Sequence, residues 1–364
     1  MSNTKTLYDQ TLESATTFIA ELGTYLTALI IGYMGQGKTA LLNNLATRFP
    51  NHLPLYLDCT AIGIGDLSIP YFQTMGENGC VTMLPNEMLG IHLNKPCIIM
   101  VDEFGKADPS VKKALLRLMH ERTFGSYTLH PDSRIFATTN KASEGVGDVL
   151  QAHACNRVVQ IHLRKYSALE QIEYGVNNNW HPAVLGFMKE FPQIMDSFED
   201  IKDPADNPYI HHPRDPSRTA FVTNRSLENA SKMCWKRDQL GDDLLTAALM
   251  GTIGDRGGLD LMSFIKMVDQ LPTTESIRNT PETAIVPTSA SAMCMVIYKI
   301  MGAMDNKLIT PWMEYMERID KEAQGLFVNG VRTTNYKHRA IVMNDGKFGA
   351  WCRNNGHMFA DDLK

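Results

Sequence analysis

Apolar residues in the first half of the chain come in short runs separated by stretches of helical spacing. Leu26–Ile31 (LTALII) ends in a glycine-rich turn, and a helical pattern follows over Lys38–Phe49. Leu53–Leu57 (LPLYL), Cys97–Val101 (CIIMV), Arg134–Ala137 (RIFA) and Val158–Leu163 (VVQIHL) are further apolar, β-branched runs of strand length. Runs this short, alternating with helices, predict an α/β fold whose parallel sheet is covered on both faces. After about Arg164 the spacing becomes helical. Helices are predicted over Ser167–Val176, Pro182–Phe191, Ser226–Leu240, Asp243–Gly251, Ser289–Met304 and Trp312–Glu322. Two polar, Pro-rich stretches, Asp203–Arg218 and Pro272–Pro287, read as breaks. The expected division is an α/β domain over residues 1–165, a helical domain over 166–271 and a helical C-terminal extension over 272–364.

The first predicted strand runs directly into Gly32-Tyr33-Met34-Gly35-Gln36-Gly37-Lys38-Thr39, which fits GxxxxGK[ST] between a strand and a helix. Glycines let backbone N–H groups curl around phosphate oxygens, and the helix start adds partial positive charge. Lys38 would reach the outer phosphates, and the Thr39 hydroxyl would ligate Mg²⁺. Gly32, Gly35, Gln36, Gly37, Lys38, Thr39 and Ala40 are therefore the candidate nucleotide-binding residues. Downstream, Asp102 and Glu103 follow the CIIMV run without a gap, at the strand end that faces the ligand crevice of an open parallel sheet. Asp102 is the candidate Mg²⁺ ligand, direct or through water, and Glu103 the candidate base for the attacking water.

Strand-GxxxxGKT, strand-DE and strand-ATTN, in that order, resemble the AAA+ ATPases, and the stretch from Asp102 to Asn140 resembles the MoxR branch of bacterial and phage members. The resemblance is specific over Leu26–Leu163 and looser to Leu271, where WHPAVLGFMKEFP and LMGTIGDRGGLDLMSFI look like lid segments. It implies a P-loop NTPase (AAA+) sheet followed by an α-helical lid, with ATP and Mg²⁺ as substrate and cofactor. Asn140 then stands at the sensor-1 position beside the attacking water, and Arg157 at the arginine-finger position that serves a neighbouring subunit. Arg225 matches the sensor-2 arginine of the lid, although Asn224 and Leu227 stand where the branch carries proline and an aromatic. Arg122 is a further candidate trans-acting arginine. The resemblance also implies a homo-oligomeric ring, expected as a hexamer, that remodels a protein client, with a von Willebrand A-domain protein as a candidate partner. A hairpin is expected at Phe124–Asp132, where Gly125 and Pro131-Asp132 flank a β-prone run.

Composition narrows the choice of client. Of 364 residues, Lys+Arg number 35 and Asp+Glu 40, for a net charge of −5, so no broad basic coat for nucleic acid is indicated. A DNA motor or loader is the alternative to a protein remodeller. A low-turnover switch and a small-molecule kinase fit less well with Glu103, Asn140 and a separate lid. Asp66–Phe72 and Val81–Gly90 look like loops with exposed apolar residues, and Tyr71 and Phe72 are candidates either to grip a partner or to enter the core. Seven scattered cysteines without CxxC suggest reduced, mostly buried thiols. His211-His212 falls in the Pro-rich stretch and reads as a solvated loop. No apolar run approaches the ~18 residues of a membrane span. The start MSNTKTLYDQ lacks the pattern of a secretory signal, so a cytoplasmic protein is expected.

Overall fold

The computed structural model describes residues 9–73, 80–141 and 156–356, so Cys155 and the first eight residues lie outside it. The chain forms two compact units, 1–165 and 166–364.

In the first unit the elements run β1 (Asp9–Gln10), α1 (Leu12–Leu22), β2 (Ala28–Gly32), α2 (Ala40–Arg48), β3 (Leu53–Asp58), β4 (Ser68–Gln73) and β5 (Cys80–Pro85). They continue with β6 (Cys97–Asp102), α3 (Pro109–Glu121), β7 (Thr123–Phe124), β8 (Tyr127–Thr128), β9 (Arg134–Asn140) and β10 (Val159–Leu163). Six strands make one sheet in the order β1-β10-β2-β9-β6-β3, and every neighbouring pair is parallel. This is the expected parallel α/β sheet with flanking helices.

Strand alternation builds both faces of its core. In β6, Cys97, Ile99 and Val101 pack with Val111, Leu115 and Leu118 of α3. Ile98 and Met100 point the other way, onto Ile19 of α1 and Leu41 and Leu45 of α2. All five are fully buried. The same alternation puts Asp102, two residues after Met100, on the α2 side. Thr138, two residues after Phe136 of β9, is on that side as well.

The two expected loops form an antiparallel ribbon. Ser68–Gln73 pairs with Cys80–Pro85, with Tyr71 opposite Thr82 and Phe72 opposite Val81. Tyr71 is 53% and Phe72 72% exposed, so neither enters the core. A second, short hairpin joins β7 and β8 through Gly125, slightly ahead of its expected position.

In the second unit α4 (Ala168–Asn177), α5 (Pro182–Glu190), α6 (Asn224–Cys234), α7 (Asp242–Ile253), α8 (Asp255–Val268), α9 (Ala290–Ala303), α10 (Ile309–Met316), α11 (Lys321–Arg332) and α12 (Gly346–Asn354) are the main helices. Residues Pro182–Met188 of α5 are all buried, which makes it the central helix, packed on α8 and α9. Phe187 and Leu261 share one hydrophobic cluster with Met295, Trp312 and Phe327. The stretch expected as a separate extension after residue 271 is thus built into the same core.

The Pro-rich stretch Asp203–Arg218 is not a solvated loop. Tyr209, Ile210 and His212 are buried. Arg218 holds the loop from inside, donating to the carbonyls of Pro204, Asn207 and Ile210 and pairing with Asp215 at 2.8 Å. Among the described cysteines, Cys59, Cys97 and Cys234 are buried, whereas Cys80 is exposed and Cys294 and Cys352 are half-buried. Among the described residues no helix is long and apolar enough to cross a membrane.

Candidate functional site

Register brings the chemistry to one end of the sheet. Gly32, the last residue of β2, lies opposite Asn140, the last residue of β9. Val101 lies opposite Ala137, which sets Asp102 beside Thr138. The loop from Tyr33 to Thr39 leaves this edge and opens α2. Gly35 (φ 67°) and Gly37 (φ 84°) take the left-handed backbone that turns the loop's N–H groups inward. At Gly32 the requirement is space, since a Cβ there would stand 2.6 Å from the Gln36 side-chain oxygen. That oxygen accepts the Tyr33 N–H at 2.9 Å, and the Gln36 amide donates to the Arg164 carbonyl, so Gln36 braces the loop from below.

Lys38 is buried at the centre of the site. Its ammonium donates to the carbonyls of Gly32 and Tyr33, both at 3.0 Å, and to Oδ1 of Asn140 at 2.6 Å. The Asn140 amide in turn donates to the two Glu103 carboxylate oxygens at 3.0 and 3.2 Å. Glu103 also meets the Lys106 ammonium at 3.0 Å. The chain Lys38–Asn140–Glu103–Lys106 is therefore continuous, joining the phosphate loop to the carboxylate that follows β6. Glu103 adopts a left-handed backbone (φ 52°, ψ 35°), uncommon for a non-glycine residue and a recurrent feature of functional sites.

Asp102 is 9% exposed and its carboxylate is already well occupied. Oδ1 accepts from the Thr138 hydroxyl and the Glu103 N–H, and Oδ2 accepts from the Tyr56 hydroxyl at 2.7 Å. Partial burial and this bond push the Tyr56 pKa up, so the hydroxyl stays a donor at any working pH. Thr39 is exposed and makes no capping bond to the α2 backbone. A Thr39 hydroxyl left to other work and a buried, hydrogen-bonded Asp102 fit a magnesium ion, which keeps several waters and needs few protein ligands. Among the described residues no cluster of three or more His, Cys, Asp or Glu side chains is arranged for a metal.

The structure brings Gly32, Gly35, Gln36, Gly37, Lys38, Thr39, Ala40, Asp102, Glu103 and Asn140 to one edge. Arg157 is not among them. It is exposed in the turn before β10, where Val159 pairs with Ala28 at the start of β2. It therefore stands near the opposite end of the strands from the glycine-rich loop, about 13 Å away along a strand of this length. Arg122 is turned inward: its Nη2 donates to the Gly23 carbonyl, Nε and Nη1 are buried without partners, and burial pushes its pKa down to about 10. That geometry does not present it to a neighbouring molecule.

Arg225 belongs to the second unit, exposed in the first turn of α6 behind the Thr223 cap, whose hydroxyl accepts the Ser226 N–H. Leu227, which stands where the resembled branch has an aromatic, is fully buried. Tyr56, Thr138 and Lys106 are the site residues that sequence patterns did not single out. For Thr138 a signal existed, because it lies two residues from Asn140 in the same ATTN run.

No family model matches the chain and no curated protein matches it. Among solved structures it is similar to Thermotoga maritima RuvB, a Holliday junction branch migration motor, at 13% identity over 74% of each chain with a TM-score of 0.36. A P216G mutant of the same protein aligns at 14% identity over 76% of this chain and 73% of that one, again with a TM-score of 0.36. A Cytophaga hutchinsonii protein described as an inferred ATPase aligns at 13% identity over 86% of this chain and 79% of its own, with a TM-score of 0.31.

Proposed function

We propose that the chain is an ATPase of the AAA+ class, of MoxR type, that hydrolyses ATP in order to remodel or activate a protein partner. The observation that carries the ATPase reading is the connected set Lys38–Asn140–Glu103 at the mouth of a phosphate-binding loop, on a parallel sheet. The loop glycines and the start of α2 would cradle the phosphates. Lys38 would exchange its two loop carbonyls and Asn140 for phosphate oxygens. That exchange frees the Asn140 amide to hold the attacking water, while Glu103 orients the water and takes its proton.

Thr39 would hold magnesium directly and Asp102 through water, because both Asp102 oxygens are engaged by Tyr56, Thr138 and the Glu103 N–H. Bound there, the ion neutralises charge on the phosphates. Arg225 is a cation in the first turn of a helix, where the helix dipole disfavours it by ~0.3–1 kcal/mol. A negatively charged phosphate is the role that would account for it. Arg157, near the far end of the strands from its own loop, would act on the site of a neighbouring copy, which implies a ring.

The protein-client reading is supported by the ribbon of β4 and β5, with Ile69, Tyr71, Phe72 and Val81 all more than half exposed, together with the net charge of −5. A von Willebrand A-domain protein is the candidate partner. Purified protein with ATP and Mg²⁺ is expected to release phosphate, and Lys38→Ala to lose nucleotide binding by ~100-fold or more. Undiminished turnover in Lys38→Ala would contradict the site. Stimulation by DNA that fades steeply with added salt would favour a nucleic-acid motor instead.

A further inference from the structure

The Glu103 carboxylate is held by two groups, and only Asn140 belongs to the reading above. The second is Lys106, one helical turn along the chain, whose ammonium meets Oε2 at 3.0 Å. Its side chain is 36% exposed and that of Glu103 25%, so this contact is partly open to solvent, while Asn140, at the end of β9, reaches the same carboxylate from the sheet. The backbone of Lys106 is held by its N–H, which donates to the Glu103 carbonyl at 2.8 Å in the short helical turn Phe104–Lys106.

This arrangement has a consequence for turnover. Asn140 is shared between Lys38 and Glu103, at 2.6 and 3.0 Å. When Lys38 moves to phosphate and Asn140 turns to the attacking water, Glu103 loses its partner on the sheet side at the moment it must be aimed. A partly exposed glutamate with no remaining tether would spread over its rotamers. We infer that Lys106 is a positioning residue for hydrolysis: it holds one oxygen of Glu103 throughout, so that the other stays directed at the water when Asn140 departs. The inference rests on the proposed ATPase reading and names a residue to which neither the motif nor the resemblance gives a role.

A partly exposed ion pair contributes little to folding, so a positioning role and a structural one separate cleanly. The test compares native protein with Lys106→Met, Lys106→Arg and Glu103→Gln, measuring kcat and KM for ATP, affinity for a fluorescent ATP analogue and the melting temperature. Lys106→Met is expected to lower kcat about tenfold, with KM, analogue affinity and melting temperature unchanged. Lys106→Arg, which keeps a cation in reach of Oε2, is expected to recover most of that loss. The inference is overturned if Lys106→Met turns over as fast as or faster than native protein, if the loss lies in KM alone, or if Lys106→Arg is as slow as Lys106→Met. Glu103→Gln distinguishes this outcome from failure of the ATPase reading: a Glu103→Gln protein as fast as native removes the base itself, whereas an inactive one beside a normal Lys106→Met removes only the lysine.

Discussion

His181 shows how much a single side chain can carry in this protein. It caps α5, the central helix of the second unit, by accepting the Ala183 N–H at Nδ1 (3.2 Å), and its ring meets Trp235 edge-on at 4.6 Å. Burial first, then the nearby Lys299 and Arg237, push its pKa down to about 4. The unfolded chain would protonate this ring near pH 6.5. Between about pH 6.5 and 4 the unfolded state therefore binds a proton that the folded state refuses. The associated stability is complete above 6.5 and is lost as pH falls towards 4, a change of ~3 kcal/mol at most. His181→Asn keeps a capping oxygen and removes the titration. Denaturant midpoints at pH 7 and pH 5 are expected to differ less in the variant than in the native protein; an identical acid loss in both would contradict the assignment. At this scale the sequence was legible where a residue works through its neighbours in the chain, as in the loop from Gly32 to Thr39. It was silent where strand register does the work. Nothing in LPLYLD marks the hydroxyl of Tyr56 as a donor to Asp102, 46 positions away, and only the pairing of β3 with β6 brings them together.

Among the elements, strands buried on both faces were legible because burial forces an unbroken apolar run. The ribbon of β4 and β5 escaped because its described residues stay largely exposed on both faces. Its apolar residues therefore follow no core pattern, and Pro70 and Pro85 suggest a loop although a two-stranded ribbon has edges that tolerate them. The helix expected over Trp312–Glu322 divides because Asp320 caps a new one, accepting the Ala323 N–H at 2.7 Å. Tyr71 and Phe72 are neighbours on one strand and point to opposite faces, yet both stay exposed. Replacing both with serine is expected to change unfolding free energy by less than ~1 kcal/mol, as for other exposed positions. If the chain is the proposed ATPase with a protein client, the variant should keep basal ATP turnover and lose its response to that client. A large fall in stability, or an unaltered client response, would count against the ribbon as the contact element.

For the molecule as a whole, the limit at residue 165 was legible because a βα pattern gives way there to helical spacing. The division expected near 271 was misleading, because Pro272–Pro287 has the surface composition of a linker while serving as internal structure. Ile277 is fully buried, Arg278 pairs with Asp305 at 3.0 Å, and Arg318 donates to the carbonyls of Pro281 and Ala284. The most consequential feature at this scale is the distance between Arg157 and its own phosphate loop. If the chain is an ATPase whose base and finger come from different copies, Glu103→Gln and Arg157→Ala should each lose turnover by ~100-fold or more. Neither variant can restore itself, but a mixture pairs an intact Glu103 with an intact Arg157 wherever the two kinds of subunit meet in the right order. The decisive measurement is ATP turnover in equal mixtures of the two inactive variants, allowed to exchange subunits. Recovery to about a quarter of native activity is expected if subunits assort at random around a closed ring. Native-level turnover by Glu103→Gln alone, or no recovery in the mixture despite shared assembly, would contradict the account.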